Sequence, residues 1–402
     1  MSAPKAATEV GSAAARATAS RRRAPSLLAV GPLPPPVNGL SKAFSFVVEG
    51  LKADGWSVAV VDLADRTRPR VGSTFSWGRL GAVAGVLGQV VRRVRAAEVV
   101  YLTISQSRLG FAKDAAIIGA AALLQRPIVV HMHGGNFRGF YEALTPGEQT
   151  VVRAALDRVA VIIALTDSLR ADFAMTRGWQ ARTVAVANTC DVRPREPRRA
   201  PRSGALRVLY LSTMMVSKGY RDTIIATGEL ARQRPHLRVH LDLAGSLLAE
   251  RDFPSPEAQA EDLRQCLGRL PDNVQATYHG EVHGAQKEAL LASADVFVLP
   301  TSYSNEGQPI AVIEALTAGL PVVATDWRGI RETLPVDMHP LLVPEREPAA
   351  VAERLVRLAD DPQFYESSSR SAAGHAATFR PAAHLAAVAR ILEAAVDRKS
   401  IP

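Results

Sequence analysis

Short β-branched and apolar runs alternate with helical stretches along most of this chain, and that alternation leaves few folds open. In the first half the runs are Ser26–Gly31, Val58–Asp62, Val99–Thr103, Ile128–His133 and Val161–Leu165. In the second half they are Arg207–Ser212, Val239–Gly245, Ala294–Pro300 and Leu320–Thr325, with helices expected over Tyr220–Gln233 and Ala285–Ser293. Strands that are apolar throughout, separated by helices, predict parallel sheets covered on both faces, with ligands at the carboxyl edge of the strands. The fold class is therefore α/β, in two doubly wound Rossmann-like domains.

A length of 402 residues exceeds what one core usually serves, and 47% hydrophobic residues is ordinary for a globular chain. The proline- and charge-rich segment Arg193–Arg202 is the expected boundary, with a hinge at Pro194–Arg202. The expected layout is a disordered basic lead over 1–25, a first domain over 26–195 and a second over 205–380. A last helix, Ala382–Asp397, is expected to follow. The lead lacks the apolar stretch of a signal peptide, which predicts no export. Apolar runs such as Ala115–Leu124 fall short of the ~20 residues that cross a bilayer. Cys190 and Cys266 are too few for a disulfide framework or a thiolate metal site, so a reducing cytoplasm is expected.

Charge is uneven. Residues 1–200 hold 27 Lys and Arg against 14 Asp and Glu, a balance of +13, while residues 201–402 come to −4. With 5% aromatics and no recognition motif, nucleic acid is not an expected partner. A candidate amphipathic helix over Trp77–Val94, with Arg79, Arg92, Arg93 and Arg95, fits either docking on anionic lipid or a solvated basic face.

Glu306 and Glu314 stand eight positions apart around the start of a predicted helix. Pro309 suits the first helical position and Gly319 the stop. The free N–H groups of Ile310 and Ala311 would face an anion at the helix mouth, between two carboxylates able to accept from vicinal hydroxyls. Taken alone, the same glutamates fit a cap and a solvated face. His131 and His133 share one face of a strand and fit a metal site, a satisfied core or a sugar contact. The metal reading lacks a third ligand of sensible spacing, and the chain has no Asp-x-Asp clamp.

Six motifs in order carry a family resemblance: Gly31-Pro-Leu-Pro-Pro-Pro-Val-Asn-Gly39, His131-Met-His-Gly-Gly135, Ser217-Lys-Gly219, His279-Gly-Glu-Val282, Ala294–Pro300, and Glu306 to Glu314 followed by Ala318–Val323. Over residues 26–395 the chain resembles the retaining GT-B glycosyltransferases of family four. That likeness implies transfer of a hexose-type sugar from a nucleoside diphosphate sugar, without a metal or other cofactor, and a last helix that crosses back to the first domain. It implies that Lys218 meets the leaving diphosphate, Glu306 the sugar hydroxyls, His133 the donor sugar, and Glu314 the ribose. It further implies that Gly39 lets the backbone close on the donor, that Val282 offers its backbone to the base, and that Lys287 lies near the nucleotide. Gly307, Gln308, Ile310 and Ala311 fall within the implied donor site. An arginine common in the family ahead of the lysine is replaced here by Ser212 and Thr213, hydroxyls that still donate.

The resemblance also implies a glycan or polyprenyl-linked acceptor and work in surface-polysaccharide assembly, peripheral on the inner face of the plasma membrane. Two alternatives share the fold: a nucleotide-sugar 2-epimerase, and an inactive scaffold module.

Overall fold

The computed structural model describes residues 25–35, 37–64, 77–201, 204–248 and 253–397, with side chains from residue 84 onward in the third of these segments. The expected basic lead, the Arg79 side chain and Arg202 lie outside the described residues.

The first domain is a parallel sheet of β1 (Ser26–Gly31), β2 (Ser57–Asp62), β3 (Val99–Thr103), β4 (Ile128–His131), β5 (Val161–Ala164) and β6 (Thr183–Ala185). Their spatial order is β2-β1-β3-β4-β5-β6. Because side chains alternate across a strand, Leu28, Val30, Val100 and Leu102 enter one core while Leu27, Ala29, Val99 and Tyr101 enter the other. Each fully buried leucine or valine contributes roughly 1.5–3 kcal/mol, which explains why polar residues are excluded from these runs.

The second domain is a parallel sheet of β7 (Ala205–Leu211), β8 (Arg238–Ala244), β9 (Val274–Tyr278), β10 (Val296–Leu299), β11 (Val322–Thr325) and β12 (Leu342–Val343). Here the order is β12-β11-β10-β7-β8-β9. Chain order reverses between β1 and β3 in the first sheet and between β7 and β10 in the second. Loops leaving neighbouring strands at such a point diverge to opposite faces and open a crevice.

The last helix, Pro381–Asp397, packs Val388, Ile391 and Leu392 into the first domain's core. A Cβ at Gly50, in the helix Gly39–Ala53, would come 2.6 Å from Leu385 Cδ2, so a larger residue there would displace the Leu385 side chain.

The crossing between domains differs from the expected hinge. Cys190 and Val192 already belong to the second domain's core. Arg195 N–H donates to Thr317 O at 3.0 Å. The Arg198 guanidinium donates to the carbonyls of Leu291 at 2.7 Å, Ala292 at 2.9 Å and Ala294 at 2.6 Å. Proline and charge mark a boundary in sequence, but these arginines fasten the segment to the second domain, and the passage lies earlier, at residues 187–190. Among the described residues no helix is long and apolar enough to cross a membrane.

Candidate active site

The loops after β7 and β10 bring Lys218 and Glu306 together, with Lys218 Nζ 3.0 Å from Glu306 Oε2. Lys218 closes the short 3₁₀ turn Val216–Lys218, and Gly219 follows with φ +85°. A Cβ at Gly219 would stand 2.3 Å from Pro300 O, so only glycine lets this turn lie against the β10 loop. The Tyr303 ring lies 5.0 Å from the ammonium, and Thr301 Oγ1 donates to Glu306 Oε2 at 3.5 Å. Both charged side chains are largely buried, a placement tolerated because they pair.

One helix further, Glu314 is held by Lys287, whose Nζ stands 2.5 Å from Glu314 Oε1 and 3.0 Å from Asp191 Oδ1. Burial pushes the Glu314 carboxyl above its ordinary range against the pull of Lys287. Burial also works to lower the Lys287 ammonium, but the two carboxylates outweigh it and raise it overall. Lys42, in the first turn of the helix Gly39–Ala53, adds a positive field on both Glu314 and Asp191 from across the cleft.

The helix carrying Glu314 runs Ile310–Thr317. Pro309 is its N-cap, with ψ 120°, and not its first helical residue: its carbonyl accepts from Val312 N at 3.1 Å while its own backbone stays extended. Ile310 and Ala311 therefore head the helix, their N–H groups ahead of the first acceptor. Gly39 opens the facing helix, whose N-cap Asn38 is closed by a capping box with Ser41. A Cβ on Gly39 would come 3.7 Å from Ile310 Cδ1. Two helix N-termini, one from each domain, thus converge on the same gap.

Gly307 and Gln308 lie where loops of the two domains meet. A Cβ at Gly307 would lie 2.9 Å from His133 O, and one at Gly135 would lie 1.9 Å from Glu306 O, so the two loops touch backbone to backbone. Gly135 N–H also donates to Asn305 O at 3.2 Å. Asn188 clasps Gln308 twice: its N–H donates to Gln308 Oε1 at 2.6 Å, and its Nδ2 to Gln308 O at 3.0 Å. Both residues hold the domains together, which spacing alone does not reveal. Thr213 follows β7 with its carbonyl taken by the Tyr210 hydroxyl at 3.1 Å. Val282 sits between β9 and the helix Gly284–Ser293 with its side chain in the second core.

β4 ends at His131, so His133 lies in the loop beyond the strand, yet the two rings remain 4.0 Å apart. His384, from the last helix, joins them, its ring 6.4 Å from His131. The Tyr101 hydroxyl lies 2.7 Å from His131 Nδ1, and burial raises that phenol's pKa and keeps it protonated. Burial lowers all three histidines, with neighbouring rings adding to it at His131 and His133, and His133 falls to about 3, so each is neutral near pH 7. The Asn188 amide beside His133 opposes that shift. Among the described residues no cluster of His, Cys, Asp and Glu has the arrangement of a metal site.

Further interdomain contacts were invisible in the sequence. Arg328, stacked on Trp327, donates to Asn136 Oδ1 at 3.0 Å, and Glu332 accepts from Asp167 N at 2.9 Å and Ser168 N at 3.0 Å. These pairs span more than 160 residues, so no local pattern announces them.

Residues 205–361 match the family model described as glycosyl transferases group 1. D-inositol 3-phosphate glycosyltransferase of Paenarthrobacter aurescens (strain TC1) is 30% identical over 181 residues, 45% of this chain and 42% of that protein. Amylovoran biosynthesis glycosyltransferase AmsK of Erwinia amylovora is 28% identical over 157 residues, 38% of this chain and 36% of that one. The chain thus spans less than half the length of these curated relatives. The solved structure of Anabaena Alr3699/HepE in complex with UDP and glucose superposes with a TM-score of 0.68 at 19% identity, covering 92% of this chain and 99% of that one. An α,α-trehalose-phosphate synthase from Burkholderia xenovorans gives 0.68 at 15% identity, covering 92% and 98%. The two facing parallel sheets are the GT-B fold, and the second domain is similar to the group 1 glycosyl transferases over residues 205–361.

Proposed function

We propose that this protein is a retaining glycosyltransferase that moves a hexose-type sugar from a nucleoside diphosphate sugar to a hydroxyl of a glycan or lipid-linked acceptor. The observation that carries this reading is the pair of compensated lysine–glutamate couples, Lys218–Glu306 and Lys287–Glu314, set on either side of one helix N-terminus. Departure of a nucleoside diphosphate builds negative charge, which fixed cations and N–H groups stabilise without reorganising. In this reading Lys218 and the N–H groups of Ile310 and Ala311 take the diphosphate, and Glu314 accepts from the ribose hydroxyls. Glu306 accepts from the sugar hydroxyls, neutral His133 contacts the same sugar, and the backbone at Val282 meets the base. The paired state keeps each buried charge compensated until the donor's own groups replace the partner. Retention then follows from front-face attack, with the leaving diphosphate taking the acceptor proton. Transfer proceeds without a metal.

The names of relatives such as the amylovoran enzyme support a role in surface-polysaccharide assembly. The positive first half supports an acceptor presented at an anionic membrane, each basic residue near that surface adding ~1 kcal/mol. Arg93 already donates to Val60 O, whereas Arg92 and Arg95 are exposed. Flotation with anionic and neutral vesicles, on wild type and on Arg92→Gln/Arg95→Gln, is expected to show salt-sensitive binding that the variant weakens. Equal binding to both vesicle types would remove the membrane from this account.

The activity itself is tested with a panel of nucleotide sugars, with and without lipid extract. Acceptor-dependent release of nucleoside diphosphate supports transfer. A changed sugar without acceptor would mean an epimerase, and neither outcome would mean a scaffold.

A further inference from the structure

His384 belongs to the helix that returns from the second domain, yet it enters the buried histidine cluster of the first. Its Nδ1 lies 2.6 Å from Ala187 O. The carbonyl only accepts, so the imidazole proton sits on Nδ1. The next residue in the chain is Asn188, whose backbone N–H and side-chain Nδ2 both hold Gln308 and whose amide also lies beside His133. One residue further along the same strap, Thr189 Oγ1 donates to Phe379 O at 2.7 Å, tying the crossing to the turn ahead of the last helix.

We infer that His384 and Asn188 are positioning residues, which couple docking of the C-terminal helix to the orientation of His133 and of the Glu306-Gly307-Gln308 loop. The inference rests on the donor-site reading above and extends it to residues with no assigned role. Three observations carry it. The Ala187–Asn188 segment is where the chain passes between domains, so its position reports how the domains sit. Asn188 is buried and touches both halves of the site at once. The Nε2 atoms of His131 and His133 are buried with no partner among the described residues, so the rings are held by packing and, at His131, by the Tyr101 hydroxyl on Nδ1 rather than by a bond at Nε2. Such rings keep a useful orientation only while their neighbours fix them, and His384 is the neighbour that the last helix brings.

Three variants separate positioning from plain packing. In His384→Asn the amide N–H can still reach Ala187 O, although the ring is lost. His384→Phe keeps the ring and loses the donor, and Asn188→Ala removes the clasp. Positioning gives His384→Asn turnover within about threefold of wild type, while His384→Phe and Asn188→Ala lose tenfold or more in kcat. Nucleoside diphosphate affinity, measured by calorimetry, stays within threefold in all of them. Retained activity in His384→Phe with loss in His384→Asn would show that the ring only fills space, and would overturn the inference. So would parallel loss of turnover and nucleotide affinity. A readout independent of turnover is the ¹⁵N NMR signature of the His133 ring, expected to change in His384→Phe and Asn188→Ala but not in His384→Asn. An unchanged signature in all three overturns the inference even if wild type transfers no sugar, in which case the transfer reading fails separately.

Discussion

Lys287 holds two carboxylates at once, Glu314 of the helix Ile310–Thr317 at 2.5 Å and Asp191 of the crossing segment at 3.0 Å. The proposed ribose acceptor is therefore fixed in place by the same ammonium that pins the passage between domains. Lys287 and Glu314 are both buried while Asp191 is largely exposed, so the Glu314 couple dominates the energetics.

Removing that ammonium has a signed consequence. Lys287→Met leaves Glu314 buried without its partner, which costs about 3–5 kcal/mol when the charge stays. Glu314 is already raised by burial and rises further without Lys287. A carboxyl raised in the folded state gives stability that is present at low pH and lost as pH rises through its folded pKa. The deficit relative to wild type, read by urea unfolding, is expected to be larger at pH 8 than at pH 5. A deficit independent of pH would show that Glu314 does not carry it.

The histidine cluster acts with the opposite sign. His131, His133 and His384 are all lowered by burial, so the unfolded chain binds more protons than the folded one below pH 6.5. Stability is full above that value and falls with pH down toward the folded values, about 3 for His133, at roughly 1.4 kcal/mol per pH unit for each histidine. Between pH 6.5 and 5, His133→Gln should lose less stability than wild type, by about 2 kcal/mol. Equal pH slopes in the two proteins would contradict a neutral, buried His133.

Glu332 caps a short helix of the other domain through Asp167 N and Ser168 N. Glu332→Ala removes a cap worth about 0.5–2 kcal/mol and makes this arrangement of the two domains less favourable. Small-angle scattering of the ligand-free variant is expected to show a larger radius of gyration than wild type, with saturating nucleotide sugar restoring compaction. An identical radius in both would mean that the Arg328–Asn136 and Asn188–Gln308 contacts suffice.

Local pattern carried much of this, and its limits are physical. The Trp77–Val94 helix was readable from its amphipathic period and the β1 run from its nearly unbroken apolar residues. β6 and β12 were not, since three and two residues cannot display a period. Glu306 and Glu314 stood out as candidates because proline, glycine and acid lie close together around one helix start, and Lys218 because it precedes glycine in a turn after a strand. Lys42, Asn188, Arg328, Glu332 and His384 escaped because their partners come from distant segments, such as Ala187 for His384, 197 positions away. Gln308 stood inside the motif, but its bonds to Asn188 depend on how two domains meet. The segment from Arg193 reads as a solvated linker for a similar reason, whereas the Arg198 guanidinium finds carbonyls on the second domain.

The central claim is that Lys218 and Glu306 act on the diphosphate and the transferred sugar. Its most direct measurement is single-turnover sugar transfer by wild type, Glu306→Gln and Lys218→Met, with folding checked by thermal unfolding and nucleotide affinity by calorimetry. Each variant is expected to stay folded and bind nucleotide while losing about 10²–10³ in rate, the usual cost of one stabilising group in such a site. Folded variants that transfer sugar at the wild-type rate would contradict it.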